Sequence, residues 1–446
     1  MLHFRINSFK PIQNFQYSNK SEGSVRVERM YDQIKLKAVL REAMDENRKL
    51  LTLNQKFFYP LAEPTYDETE VISALESMTK FSTTMWDKVK EFESEFGKKY
   101  GGEAVMVNSG SSADLLIAFA LLDKSGGPLM QGDEVLIPAF TWPTHLWSFL
   151  MAGFNVRLVD VSIDSLNFDL DKLKSEVSPR TKAISIVHLL GNVGNMSELE
   201  IFCKQNNLIL IEDCCEALGS KFKGKNVGTF GLASSFSFFF SHHLMTMEGG
   251  MILTRNKDFA KRCRLLRSHG WAKELGESIG QDGLDPRYRF LTWGFNVRPT
   301  ELQASFGIVQ LQKISNFERY RAVNVKLIKS GLSKHSLWLR TMRIEDEVDC
   351  SWFAFPIIVS ATAPFTASDL MEYLTESGVE NRPIVAGNLA KQPAIANFPE
   401  IEFGSLEGAN FLHCNGLYIG IHPKKDEIRL NNVLAKLDQF CSRYSS

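Results

Sequence analysis

Between Glu103 and Asp213 the chain alternates short apolar runs with longer helical stretches, and no other feature narrows its fold as much. The runs Glu103–Asn108, Glu134–Ala139, Asn155–Val161, Lys182–Leu190 and Leu208–Asp213 have the length and make-up of buried strands. The gaps between them are long enough for the crossover helices that parallel pairing requires. This rhythm predicts an α/β domain with a large, mostly parallel sheet sandwiched by helices. Ligands of such sheets bind outside the carboxyl ends of the strands, so the residues just after each run are where chemistry is expected.

Around this centre the chain falls into three parts. Residues 1–58 form an N-terminal helical extension, because Val27 to Leu51 is rich in Glu, Lys, Arg, Leu and Met and lacks Gly and Pro. After the Tyr59-Pro60 break, residues 59–318 form the large domain, opening with helices from about Asp67 and from Trp86 to Tyr100. Residues 319–446 form a small α+β domain: a long helix from about Arg319, a strand region at Trp352–Val359 and a helix near Ala367–Ser377. With 51 Lys and Arg against 52 Asp and Glu, the formal charge of -1 gives no electrostatic basis for binding nucleic acid or an anionic membrane. No apolar run reaches ~18 residues, so neither a signal peptide nor a membrane span is expected and the expected location is the cytoplasm. Seven scattered cysteines, an odd number, read as reduced and mostly buried thiols.

Several residues at strand ends could carry chemistry. Asn108-Ser109-Gly110-Ser111-Ser112-Ala113 follows a strand and opens a helix, which aims amide groups, a hydroxyl and the helix dipole at one anion; the plainer reading is an N-cap. Asp213 could hold a protonated pyridine nitrogen or cap the next turn. Trp142 offers a flat face to a heteroaromatic ring, although a tryptophan is more often part of a core. His242 and His243 follow an aromatic stretch read as a strand, Ser237 to Phe240, and precede Glu248-Gly249-Gly250. Adjacent histidines on regular structure point different ways and do not share a metal. His269, in RSHGW, is a second titratable candidate. Nothing reads as C-x-x-C, and no cysteine lies between Cys263 and Cys350, so no metal or cluster site is expected.

Taken in order, VNSGSSADLL, PAFTWPT, LIEDCCEALGS, SFFFSHHLMTMEGG, RSHGW, WGFNVRPTELQA and NRPIVAGN resemble the DegT/DnrJ/EryC1/StrS family of sugar aminotransferases and dehydratases. These are fold type I enzymes that use pyridoxal 5′-phosphate. The likeness runs from about Tyr59 to the C-terminus. Where the family's aminotransferases carry the lysine that forms a Schiff base with the cofactor, six residues before the glutamate of EGG, this chain has His242. An imidazole cannot form that bond, yet it can move protons at neutral pH. The SHH and TMEGG segments resemble the branch that dehydrates a GDP-linked 4-keto-6-deoxy sugar at C3. GNLAKQP at Gly387–Pro393 is more similar to the iron–sulfur, CDP-sugar branch.

Carried over residue by residue, the resemblance implies that Gly110, Ser111 and Ser237 hold the cofactor phosphate. Trp142 would cover the ring, Asp213 would meet the pyridine nitrogen and Glu216 would lie beside the ring. Asn296 would reach the cofactor phosphate of a neighbouring subunit, implying a homodimer with shared active sites. Arg298, Arg382 and His269 become candidates for substrate binding, the arginines because a guanidinium pairs well with carboxylate or diphosphate. The expected cofactor is non-covalent pyridoxal or pyridoxamine phosphate, the expected amino donor L-glutamate, and the expected base His242, at an unperturbed pKa of about 6.5. The expected reaction is loss of the C3 hydroxyl from a nucleotide-linked 4-keto-6-deoxy sugar. A reductive C3-dehydratase and a sugar aminotransferase using another lysine remain as alternatives.

Overall fold

A computed structural model of the chain describes residues 22–275 and 284–444. The first 21 residues of the expected extension lie outside them. The chain divides into two compact units after Leu53. The described part of the first is one helix, Glu22–Leu53, matching the composition of that stretch.

The second unit is organised by an eight-stranded sheet. Five strands form the expected α/β core: β1 Glu103–Val107, β2 Glu134–Pro138, β3 Asn155–Val159, β4 Thr181–Val187 and β5 Ile209–Asp213. Across the sheet the order is β1, Gly250–Thr254, Ala233–Ser237, β5, β4, β2, β3 and Ile401–Phe403. Gly250–Thr254 runs antiparallel to both of its neighbours, and the other pairings are parallel. Alternate side chains serve the two faces, as the pleat requires. Val105 and Val107 enter one hydrophobic cluster while Ala104 and Met106 enter the other. Parallel register sets Asp213 beside Val187 on one side and Ser235 on the other, so β4 and β5 end at one level and the third strand runs two residues further, to Ser237.

Three boundaries differ from the sequence reading. The long helix begins at Glu301, not near Arg319, and runs to Leu332, across the boundary drawn at 318. Its start is a capping box in which Thr300 Oγ1 accepts from the Gln303 amide and the Gln303 side chain accepts from the Thr300 amide. The aromatic strand expected over Ser237–Phe240 is instead Ala233–Ser237. It stops because Phe238 turns back to the loop: its carbonyl accepts from the Thr246 amide and its amide donates to Gly249. Finally, β4 ends at Val187 rather than Leu190, since Leu189–Gly191 form a tight turn with Leu190 at φ +53°.

A second sheet, ordered Leu339–Arg340, Ala354–Val359, Gly416–Gly420 and Asn381–Pro383, is antiparallel throughout. The helix Ala367–Glu376 connects two of its strands.

Two glycines make the site end of the large sheet possible. A Cβ at Gly250 would lie 2.2 Å from the Ser109 carbonyl oxygen, and one at Gly110 would lie 2.6 Å from Ser237 Cβ. Both contacts bring strand backbone against the first turn of the helix Gly110–Leu121. We therefore predict that Gly250→Ala destabilises the protein by about 1–3 kcal/mol, because the obstructing atom is backbone. Denaturant unfolding would test this; an unchanged midpoint would show that the turn can shift freely.

Candidate active site

The carboxyl ends of four strands and the small sheet enclose a cavity of about 580 Å³. Each strand contributes through the residues that follow it. After β1 come Ser109, Gly110 and Ser111; after β2, Thr141 and Trp142; after β4, His188; after β5, Cys215 and Glu216. Phe353, Arg382 and Tyr418 close the opposite side.

At the β1 end, Ser109 is an extended N-cap whose Oγ accepts from the Ser112 amide at 3.1 Å. Ser112 Oγ in turn donates to Asn108 Oδ1 at 2.6 Å. The cap leaves first-turn amides of the helix Gly110–Leu121 without helical partners, directed at the cavity with the positive end of the helix dipole. Ser237 stands against Gly110 across this turn. Such a cradle suits a phosphate.

Asp213 and Glu212 leave β5 on opposite faces. Glu212 is fully buried and satisfied: it accepts from the amides of Gly228, Phe230 and Gly231 and contacts His188 Nε2 at 3.1 Å. Asp213 lines the cavity, and its Oδ1 accepts from the Cys215 amide at 2.9 Å. Trp142, at the N-terminus of the helix Pro143–Ala152, stands 57% exposed at the cavity edge, where a ring could lie against it. Glu216 Oε2 accepts from the Leu190 amide at 2.9 Å, which accounts for the strained turn after β4. Burial pushes the Glu216 carboxyl up to about 7, against the pull of the Leu190 amide and with help from Asp213.

His242 sits in the cavity wall. Its Nδ1 lies 2.7 Å from the Cys215 carbonyl oxygen. A carbonyl only accepts, so Nδ1 carries the proton and Nε2 keeps its lone pair. The ring packs against Phe353, with centroids 5.0 Å apart. Burial pushes the imidazole down to about 4; the Cys215 carbonyl and Asp213 oppose this, and Arg321 adds to it. His242 is thus neutral at pH 7, and the ordinary value of about 6.5 expected from sequence does not hold, because that value belongs to a solvated ring. His243 turns the other way, buried, with Nε2 at 3.2 Å from Ser351 Oγ.

Eight expected residues come together here: Gly110, Ser111, Trp142, Asp213, Glu216, Ser237, His242 and Arg382. Arg382 pairs with Glu380 at 3.0 Å. Three do not join them. Asn296 and Arg298 are exposed, outside this chain's own cavity, with Arg298 Nε donating to Asn296 Oδ1 at 3.0 Å. His269 is exposed at φ +60°, likewise outside.

Sequence reasoning missed Tyr418, Phe353 and Arg321. Tyr418 lies on a short strand with no motif, and burial, then Glu216, pushes its phenol up to about 12. Arg321 is 4% exposed, and among the described residues no carboxylate pairs with it. Its Nη1 donates to the Trp352 and Phe353 carbonyls at 3.1 and 2.9 Å, holding the turn where Trp352 adopts φ +47°. Through Phe353 it positions both histidines.

The donor set fits pyridoxal phosphate: an anion cradle, an exposed indole at the cavity edge and a buried carboxylate for the ring nitrogen. The chain belongs to the DegT/DnrJ/EryC1/StrS aminotransferase family, whose pattern matches residues 64–438. Among curated relatives it is 37% identical over 390 residues to the GDP-4-keto-6-deoxy-D-mannose 3-dehydratase of Yersinia pseudotuberculosis, covering 85% of this chain and 98% of that one. Among solved structures, the Escherichia coli GDP-4-keto-6-deoxy-D-mannose-3-dehydratase with bound hydrated PLP superposes with a TM-score of 0.81 at 34% identity, covering 85% and 99% of the two chains. A GDP-4-keto-6-deoxymannose-3-dehydratase with a trapped PLP-glutamate geminal diamine gives the same TM-score and identity over 85% of this chain and 100% of that one.

If Arg321 helps to keep His242 neutral, Arg321→Gln should raise the His242 titration from about 4 by up to about one unit. Nitrogen-resolved NMR of labelled histidine would measure it. A downward movement in a folded variant would contradict the assigned field.

Proposed function

We propose that the chain is a pyridoxal-phosphate-dependent 3-dehydratase of a nucleotide-linked 4-keto-6-deoxy sugar, with L-glutamate as amino donor. One observation carries the reading. Among the described residues, the cavity wall holds a neutral imidazole of fixed tautomer and no lysine. A site so built can move a proton but cannot tether the cofactor, which separates it from an aminotransferase.

Bound in the cavity, the cofactor supplies a carbonyl or amine for covalent exchange with glutamate and sugar, and a ring that takes up negative charge. Gly110, Ser111 and Ser237 would hold its phosphate, Trp142 would cover the ring and Asp213 would sustain a protonated ring nitrogen. Glu216 lies beside the ring. His242 Nε2, with its free lone pair, would accept the proton lost at cofactor C4′ as the sugar C3 hydroxyl departs. The rings of Phe353 and Phe239 lie beside the imidazole, with centroids 5.0 and 6.4 Å from it. Over the full cycle, glutamate and the 4-keto sugar become 2-oxoglutarate, ammonia and a 4-keto-3,6-dideoxy sugar, so glutamate is the reductant and no external electron source is needed. Seven cysteines, none between 263 and 350, give no support to an iron–sulfur route. The relatives' names favour a GDP-linked mannose-derived substrate.

Incubation with glutamate, cofactor and a panel of nucleotide 4-keto-6-deoxy sugars should show loss of the C3 oxygen by mass spectrometry, with ammonia and 2-oxoglutarate equal to product. His242→Lys should abolish this by at least about 100-fold and develop the absorbance of a covalent lysine adduct. A requirement for NAD(P)H and a reductase would move the chain to the reductive route.

The assembly we infer is a homodimer with shared sites, in which the exposed Asn296 serves the partner's phosphate cradle. Mixed dimers of Asn296→Ala and His242→Ala chains would carry one doubly damaged site and one intact site. About half of wild-type activity should return although both parents are impaired; no recovery in verified heterodimers would remove Asn296 from the partner's site.

A further inference from the structure

Two carboxyl groups meet in the cavity with no cation between them. Asp213 comes from the end of β5 and Asp114 from the second turn of the helix Gly110–Leu121. Both line the cavity and each is 7% exposed. Their oxygens lie within 4.8 Å of one another and of Cys215 Sγ. Among the described residues, neither pairs with a lysine or arginine.

The groups facing the pair supply no positive charge. The thiols of Cys214 and Cys215 are pushed well up by burial and so stay protonated. The helix Pro143–Ala152 presents His145, which burial pushes down and which lies 2.7 Å from Ser185 Oγ. His242 is neutral for the reason given above. Ser235, on the adjoining strand, hydrogen-bonds Asp114 and favours its charge, but burial, then Asp213, hold the Asp114 carboxyl well above the usual range. A second carboxyl this close in a water-poor site adds to the cost of ionising Asp114.

We propose that Asp114 and Asp213 share one proton in the cofactor-free protein, and that this proton passes to the pyridine nitrogen when the cofactor binds. The inference rests on the pyridoxal phosphate reading of the cavity. In the transfer an O–H bond of the pair breaks and an N–H bond forms. The pair goes from one negative charge to two while the ring gains one positive charge, so the cavity's net charge is unchanged by the transfer. Asp114 acts through Asp213 and is a positioning residue. It lies within the VNSGSSADLL segment, five residues beyond the Ser109 cap, where it reads from sequence as one more helical polar residue.

Asp114→Asn tests this, since the amide keeps the shape and can still donate a hydrogen bond to Asp213. In the infrared difference spectrum between the two cofactor-free proteins at pH 7, the wild type should show the carbonyl stretch of a protonated carboxylic acid; its absence overturns the shared proton. A carboxyl with a raised folded-state value contributes stability that is complete below the unfolded value of about 3.9 and is lost as pH rises toward the folded value. Asp114→Asn should therefore gain on the wild type as pH rises above about 4, by at most about tenfold in the unfolding constant per pH unit; parallel curves overturn the proposal. Calorimetric titration with pyridoxal phosphate in buffers of different ionisation enthalpy should give proton counts that differ by about one between the two proteins, the variant taking up the extra proton. Equal counts overturn the transfer. Failure of both proteins to bind pyridoxal phosphate overturns the cofactor assignment and the transfer together, while the infrared and stability readouts still decide whether the proton is shared.

Discussion

The hydrogen bond from His242 Nδ1 to the Cys215 carbonyl is the contact through which the rest of the site becomes chemically useful. It joins the loop after the strand Ala233–Ser237 to the turn after β5, and it decides which ring nitrogen is free. The Cys215 carbonyl is itself placed because the Cys215 amide donates to Asp213 Oδ1. One short turn thus orients both the Asp213 carboxylate and the His242 imidazole. Parallel register makes this possible, since Asp213 and Ser235 are directly opposed and the two loops leave the sheet side by side. Behind the imidazole, Arg321 grips the Trp352 and Phe353 carbonyls, and the Phe353 ring limits how far His242 can swing.

The cavity's electrostatics follow from burial more than from charge pairing. His242 is pushed down, while Glu216, Asp114 and Tyr418 are pushed up; in each case burial is the largest cause and the neutral form gains. A neutral imidazole can accept a proton, and a carboxyl near 7 can exchange one at physiological pH. Water around these groups would return them toward ordinary values. The ring of Phe353 packs against His242 and contributes to that burial.

Much of the fold was legible because strand ends and helix starts carry local signals. The five strand runs between Glu103 and Asp213 came through with changes of one to three residues at their ends, since a buried parallel strand is a short apolar run bounded by turn residues. The start of the helix at Glu301 is also written locally, as Thr300 and Gln303 three apart in a capping box. The site was legible where its residues directly follow a strand, as with Ser109, Trp142 and Asp213. Asp114, Arg321, Phe353 and Tyr418 were not, because each acquires its role from elements distant in sequence. A buried arginine without a carboxylate partner looks like any surface arginine until the packing is known.

Exchanging a lysine for His242 has a consequence for how the cavity must hold its cofactor. Where a lysine bonds covalently, retention between half-reactions does not depend on the non-covalent contacts. In the proposed site those contacts would come from the amides of the first helical turn, Ser237, Trp142 and Asp213. The close approach of Gly250 to Ser109 and of Gly110 to Ser237 leaves no room for side chains at these two positions of the cradle. The same exchange removes the amine that would reclaim the cofactor from its bond to the sugar. In the proposed reaction water would be the remaining acceptor, and the nitrogen taken from glutamate would leave as ammonia rather than stay on the sugar. In this reading, the difference between a dehydratase and an aminotransferase on one scaffold comes down to whether residue 242 can form a bond to carbon or can only move a proton.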